Sequence, residues 1–114
     1  MTTEEMTAAT VGVRSYQEVA VVLAAANTEE ACSARFGRGV LAAYRWALGG
    51  QVAAPITAAA PPGAAGPSHA QLRAECQAAL AEVLGHARRT VELDYARGVH
   101  EALAWLCGHS DEVP

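Results

Sequence analysis

FGRGVLAAYRWALGG, residues 36–50, decides the architecture, because it returns as YARGVHEALAWLCGH at residues 95–109. Aligned without gaps at an offset of 59, the stretches share Arg38/Arg97, Gly39/Gly98, Val40/Val99, Ala43/Ala102, Trp46/Trp105 and Gly49/Gly108, and Phe36 meets Tyr95. The register also matches Arg14 to Arg73, Ala20 to Ala79 and Pro55 to Pro114. A repeat of this length is one supersecondary unit whose apolar face needs a neighbour. The expected fold is an all-α helical bundle built from two tandem copies of a helical hairpin, related by a pseudo-twofold axis. Dimerisation completes it if the monomer has too few helices to cover its apolar faces.

Phe36, Gly39, Ala43 and Trp46 recur at i, i+3, i+7 and i+10, the spacing of a packing seam, as do Tyr95, Gly98, Ala102 and Trp105. Glycine inside a helix costs about 1 kcal/mol relative to alanine, so its presence in both stretches implies a close helix approach that offsets the cost. The expected crossing lies near Gly39 and Gly98, with the two tryptophans closing the seam. A second apolar side runs through Ala34, Gly37, Leu41, Tyr44 and Leu48, matched by Leu93, Ala96, His100, Leu103 and Cys107. Helices apolar around most of their circumference belong at the centre of a bundle.

Working outward, residues 1–10 read as a flexible leader and residues 11–110 as one helical domain. The first copy spans about 13–50 and the second about 68–109, followed by a short acidic tail. Ser15 and Glu18, and again Ser68 and Gln71, have capping-box spacing. Asn27-Thr-Glu-Glu30 is another start signal, predicting a second helix over about 28–48 that ends at Gly49-Gly50. Pro55, Pro61, Pro62 and Pro67 make residues 51–67 a non-helical linker. In the second copy, Leu72, Cys76, Ala79, Leu80, Val83 and Ala87 trace an apolar face. One unbroken helix over 69–107 would run about 58 Å, so a break near Gly85 or a long dimerising hairpin is expected.

Composition narrows the function classes. The chain has 114 residues, 52% hydrophobic and 18% charged, with a net charge of −4. Every basic residue is arginine, a bias shared with alanine-rich proteins of GC-rich bacteria. Arg35, Arg38, Arg45 and the Arg88-Arg89 pair form no basic stripe, so nucleic-acid binding is disfavoured. The N-terminus carries acids where a secretory signal needs positive charge, and the apolar run at Val19–Ala26 is far short of a bilayer span. Cys32, Cys76 and Cys107 form no even framework and no CxxC pair, which fits free thiols in the cytoplasm.

No Walker loop, nucleophile elbow or zinc-binding spacing is present, and no cofactor, metal or catalytic residue is implied. His100 and Cys107, with Cys76 and His86, suggest a buried Cys/His cluster without ligand spacing. Glu82 and His86 read as a solvated i, i+4 pair. Arg38 and Arg97 read as helix-surface guanidiniums, Arg97 having Asp94 and Glu101 within one turn. The leading functional expectation is a non-catalytic cytoplasmic protein that binds another protein or itself, a homodimer being favoured, through apolar helix faces. The alternative is a small-molecule- or anion-binding protein, an enzyme in its strongest form, with a pocket between the second and fourth helices. Tyr44, Trp46 and Trp105 would wall it, and Arg38, Arg97, His100 and Cys107 would supply its polar groups.

Overall fold

A computed structural model describes residues 10–51, 53–59, 66–85 and 91–114. The described chain begins with two short antiparallel strands, β1 (Thr10–Val11) and β2 (Arg14–Ser15), paired Thr10 to Ser15 and Val11 to Arg14. An all-α reading missed this hairpin. Its turn is built by Gly12, whose φ is +65° and where a side chain would overlap the Leu106 carbonyl. Thr10, assigned to the leader, is already paired, and residues 1–9 lie outside the described set.

Ser15 then caps α1 (Tyr16–Ala26). The Glu18 amide donates to the Ser15 hydroxyl oxygen at 3.1 Å, and the Ser15 amide donates to the Glu18 carboxylate at 3.3 Å. Thr28 caps the short α2 (Glu29–Ser33), accepting from the Ala31 amide at 3.1 Å. The single helix expected over 28–48 is divided here. Ala34 is extended, with φ −96° and ψ 140°, and α3 (Arg35–Ala47) starts afresh beyond it. The physical reason is the fold-back at Gly37, where any side chain would collide with the Ala31 carbonyl. Glycine lets the first turn of α3 lie directly against α2.

The two stretches at 36–50 and 95–109 end in the same way. After α3, the Gly49 amide donates to the Trp46 carbonyl at 3.0 Å and the Gly50 amide to the Arg45 carbonyl at 2.8 Å. After α5 (Leu93–Leu106), Gly108 donates to Trp105 at 3.2 Å and His109 to Ala104 at 2.8 Å. Gly49 and Gly108 have φ of +81° and +80°. These are paired Schellman caps, which satisfy helix-end carbonyls through a left-handed residue that glycine adopts without penalty.

Between them, α4 (His69–Leu84) opens on the Ser68/Gln71 capping box and stops at Gly85, whose φ is +72°. The Glu92 carboxylate caps α5 by accepting from the Asp94 and Tyr95 amides at 2.9 and 3.1 Å. The chain over 69–107 is therefore two helices. His86, Ala87, Arg88 and Arg89, along with Pro61 and Pro62 of the linker, lie outside the described residues.

The core is organised on α3 and α5, which make the most extensive contact in the molecule, while α1 lies against α3 and α4 against α5. A Cβ on Gly39 would overlap the Tyr95 carbonyl and crowd the Val99 amide; one on Gly98 would overlap the Phe36 carbonyl and crowd the Val40 amide. The two contacts are reciprocal at the same offset of 59, Phe36 to Tyr95 and Val40 to Val99. Around the crossing Leu41, Ala43, Tyr44, Val99, Ala102 and Leu103 are almost wholly buried. Leu72, Cys76 and Ala79 of α4 and Val19 of α1 close the sides. The mostly helical character and the central pair follow from this packing.

The buried face of α4 differs from the one expected. It runs through Leu72, Glu75, Cys76, Ala79 and Glu82, while Leu80 and Leu84 are 38% and 55% exposed. Two carboxylates thus occupy a face where only apolar residues were expected, and Glu82 is no solvated residue.

Candidate functional site

The candidates named from the sequence separate into two environments. Tyr44, Trp46 and Trp105 belong to the core. Tyr44 meets Trp105 edge to face, with ring centroids 6.1 Å apart and planes at 81°. Burial pushes the Tyr44 phenol well above its usual pKa, against a smaller opposing pull from Arg14. The Tyr44 hydroxyl and the Trp46 indole N–H are buried with no hydrogen-bond partner among the described residues. Arg38 and Arg97, by contrast, are exposed, and Arg97 makes a surface ion pair with Asp94 at 3.9 Å. Backbone contact at Gly39 and Gly98 closes the space between α3 and α5 at the crossing, and the arginines lie outside it.

His100 lies on α5 and Cys107 is the residue that caps its end, and Cys76 of α4 is close enough to Cys107 to act on it electrostatically. Burial pushes the Cys76 thiol up to about 11, and the neighbouring Cys107 adds to the rise. The Cys107 thiol is also raised by burial, with Arg73 acting in opposition. Burial lowers the His100 pKa, and Glu101 pulls the other way. Raised thiol pKa values keep both sulfurs protonated at neutral pH, and a neutral thiol is a poor nucleophile and a poor metal ligand. Among the described residues no group of three or more His, Cys, Asp or Glu side chains is placed to hold a metal ion. No helix among them is long and apolar enough to cross a membrane.

The two polar residues with the most structural purpose were not singled out from the sequence. Glu75, only 3% exposed, accepts from the Ile56 amide at 2.5 Å, the Thr57 amide at 2.9 Å and the Thr57 hydroxyl at 2.7 Å. It fastens the turn after α3 onto α4, and the Tyr95 hydroxyl adds a long bond to the Pro55 carbonyl at 3.4 Å. Arg14 does the corresponding work at the other end. Its Nε donates to the Trp105 carbonyl and a terminal nitrogen to the Ser110 carbonyl, both at 2.8 Å. Its guanidinium lies 4.7 Å from the centre of the Trp105 ring and 3.7 Å from the Asp111 carboxylate. Together with the Val13 amide, which donates to the Leu106 carbonyl at 2.9 Å, it satisfies carbonyls at the end of α5. The signal for Glu75 was its spacing, three residues from Leu72 and four from Ala79 on one helix face.

The basic trio on α3 is partly committed to neighbours. Arg35 reaches Glu92 at 3.8 Å, and Arg45 donates to the Asn27 side chain at 3.3 Å.

Several large apolar residues are also exposed. Val13, Tyr16, Val21 and Val113 are each between 47% and 68% exposed. A groove of about 370 Å³ is lined by Ala26, Ala31, Phe36, Gly37, Val40 and Pro114. A second, of about 410 Å³, lies between Val21, Val22, Trp105 and Val113. The apolar residues Leu80 and Leu84 form a separate patch on α4.

In comparisons with known proteins, no family model matches the chain, and no curated protein or solved structure gives a significant match.

Proposed function

We propose that this chain is a non-catalytic helical protein of the cytoplasm that works by binding another protein or a second copy of itself. The scaffold in this reading is a duplicated hairpin, α1 with α3 and α4 with α5, related by a pseudo-twofold axis through the Gly39–Gly98 crossing. The observation that carries the reading is a division of labour between the central and flanking helices. The central pair is closed by backbone contact and its Tyr44, Trp46 and Trp105 are buried, while the flanking helices keep Val21, Leu80 and Leu84 exposed. Exposed apolar residues on helices whose other faces are packed are what a helix-face interface uses. Buried thiols and a histidine depressed by burial supply no activated group for chemistry. The pocket alternative is weaker, because Arg38 and Arg97 face solvent while its walls are core.

Sedimentation velocity over a wide concentration range, with metal analysis and a thermal-shift screen of small anions, tests the proposal. The expected result is self-association that Leu80→Glu or Leu84→Glu removes, with no stoichiometric metal. A metal held by Cys76 and Cys107, or anion binding lost in Arg38→Gln and Arg97→Gln, would overturn it.

A further inference from the structure

The turn after α3 is closed on itself before Glu75 fastens it to α4. The Ala54 amide donates to the Ala59 carbonyl and the Ala58 amide to the Ala54 carbonyl, both at 3.0 Å. Ala58 is held there at φ +61°, the one non-glycine residue in the left-handed region among those described. A strained position of this kind persists only where its surroundings over-determine it, and such positions gather at ligand sites. Beside the turn lies a cavity of about 120 Å³, lined by Trp46, Ala54, Thr57, Ala59, Ala74 and Glu75 together with Gln71. Thr57, Ala59 and Ala74 are exposed, so solvent reaches it.

Two of the lining residues have bonding capacity that the protein does not use. Glu75 Oε2 accepts from both the Ile56 and Thr57 amides, but Oε1 accepts only from the Thr57 hydroxyl, which leaves one lone-pair direction of Oε1 unused. All three donors are neutral, and the ion pairs among the described residues do not include Glu75. A carboxylate that is 3% exposed ordinarily has an opposite charge beside it. Trp46 is 2% exposed, and its indole N–H has no acceptor among the described residues, whereas buried donors ordinarily have one. The cavity therefore calls for a cation and an acceptor. Its other walls are mostly alanine methyls, and Glu75 is its single carboxylate, too few oxygen ligands for a calcium or magnesium ion. Its size is about four water volumes, room for a very small organic molecule.

We propose that this cavity binds a small primary ammonium compound that also carries a hydroxyl or carbonyl oxygen. The ammonium donates to Glu75 Oε1, and the oxygen accepts from the Trp46 indole N–H. A charge-assisted bond to a buried carboxylate is the stronger of the two contacts and sets the preference for a cation. The site is separate from the closed crossing of α3 and α5, and it stands or falls independently of any protein partner.

The test uses the full chain, isotope-labelled and titrated at fixed pH and ionic strength with ethanolamine hydrochloride, its uncharged isostere ethylene glycol, and potassium chloride. The chain has two tryptophans, so the indole N–H of Trp105 serves as the internal control for that of Trp46. Ethanolamine is expected to give saturable shifts at the Trp46 indole and the Ile56 and Thr57 amides, with a dissociation constant on the order of millimolar for so small a probe. Glycol and potassium are expected to leave these signals in place. Glu75→Gln, which removes the charge, is expected to weaken binding about tenfold or more. Ala74→Leu fills the cavity from an exposed position and leaves the bonds of the turn intact, so it decides the matter if Glu75→Gln does not fold. It too is expected to weaken binding at least about tenfold. Absence of saturable shifts with ethanolamine overturns the proposal. Equal shifts with glycol overturn it in favour of uncharged filling, and equal shifts with potassium in favour of an inorganic cation site. Unchanged affinity in Ala74→Leu overturns it by placing the binding elsewhere.

Discussion

The segments that follow the two Schellman caps leave nearly identical helix ends and are then treated differently. After Gly49 the chain turns, crosses α4, and is fastened from beneath by the buried carboxylate of Glu75. After Gly108 it runs past α1 and is fastened from the side by the guanidinium of Arg14. One anchor is a carboxylate collecting backbone donors, and the other is a guanidinium satisfying backbone acceptors. The comparison teaches that equal helix geometry does not carry equal loop chemistry. The cap depends on a few neighbouring residues, whereas each anchor depends on what the other half of the molecule presents.

The largest expected effect falls on the two glycines at the crossing of α3 and α5. Gly39→Ala and Gly98→Ala should each destabilise the protein by about 2–3 kcal/mol through overpacking, despite the roughly 1 kcal/mol that alanine adds in helix propensity. A Cβ at either position meets backbone, which has no rotamer to escape into. Urea denaturation of the two variants should give nearly equal losses. Clearly unequal losses would break the likeness of the two sides of the crossing. Gly85→Ala, where a Cβ meets nothing within 4 Å but φ is +72°, isolates the conformational cost alone at about 1 kcal/mol.

Next come the anchors. Glu75→Ala leaves the Ile56 and Thr57 amides without their acceptor in a part-buried site, and should cost about 2–3 kcal/mol. Arg14→Met keeps part of the packing on Trp105 but loses two donors, and should cost about 1–2 kcal/mol. Amide hydrogen exchange sharpens the contrast. Faster exchange in Glu75→Ala should centre on residues 53–59, and in Arg14→Met on residues 105–110. Uniform acceleration across the protein in both variants would mean that the anchors are not local.

The smallest effect concerns pH. Burial holds the His100 pKa below the usual 6.5, so between the folded and unfolded values the unfolded chain binds more protons. Stability from this residue is therefore complete above about pH 6.5 and declines as pH falls toward the lowered folded value. His100→Gln should flatten the pH dependence of stability in that window. The matching residue of the first half is Leu41, so this dependence belongs to the second half alone. An unchanged slope in His100→Gln would assign it to other groups.

The helix boundaries were largely legible because each is written within a few residues. Ser15 with Glu18 and Ser68 with Gln71 close their capping boxes three residues apart, and Gly49 and Gly108 take the left-handed turn that stops a helix. Gly39 and Gly98 marked the crossing because an internal glycine is costly unless backbone must approach. The break at Ala34 was not legible, since nothing at that position stops a helix; its cause is the Gly37 contact with the Ala31 carbonyl. The face of α4 was misjudged because the apolar residues Leu80 and Val83 outweighed Glu75 and Glu82 in a reading based on hydrophobicity. The candidate surface was legible only as an excess of apolar helix, without its location.

By itself, then, the sequence determined most of the helix starts and stops, though not the break at Ala34, and which two helices must meet most closely. Those features depend on hydrogen bonds spanning three or four residues and on the missing Cβ of two glycines. Only the tertiary structure decided that Glu75 is buried, that Arg14 finishes α5, and that a strand pair precedes α1. The partners of Glu75 lie 18 and 19 residues away, and those of Arg14 lie 91 and 96 away. A carboxylate or guanidinium carries no local sign of such a partner. Its burial becomes favourable only after folding has brought the donors or acceptors to it.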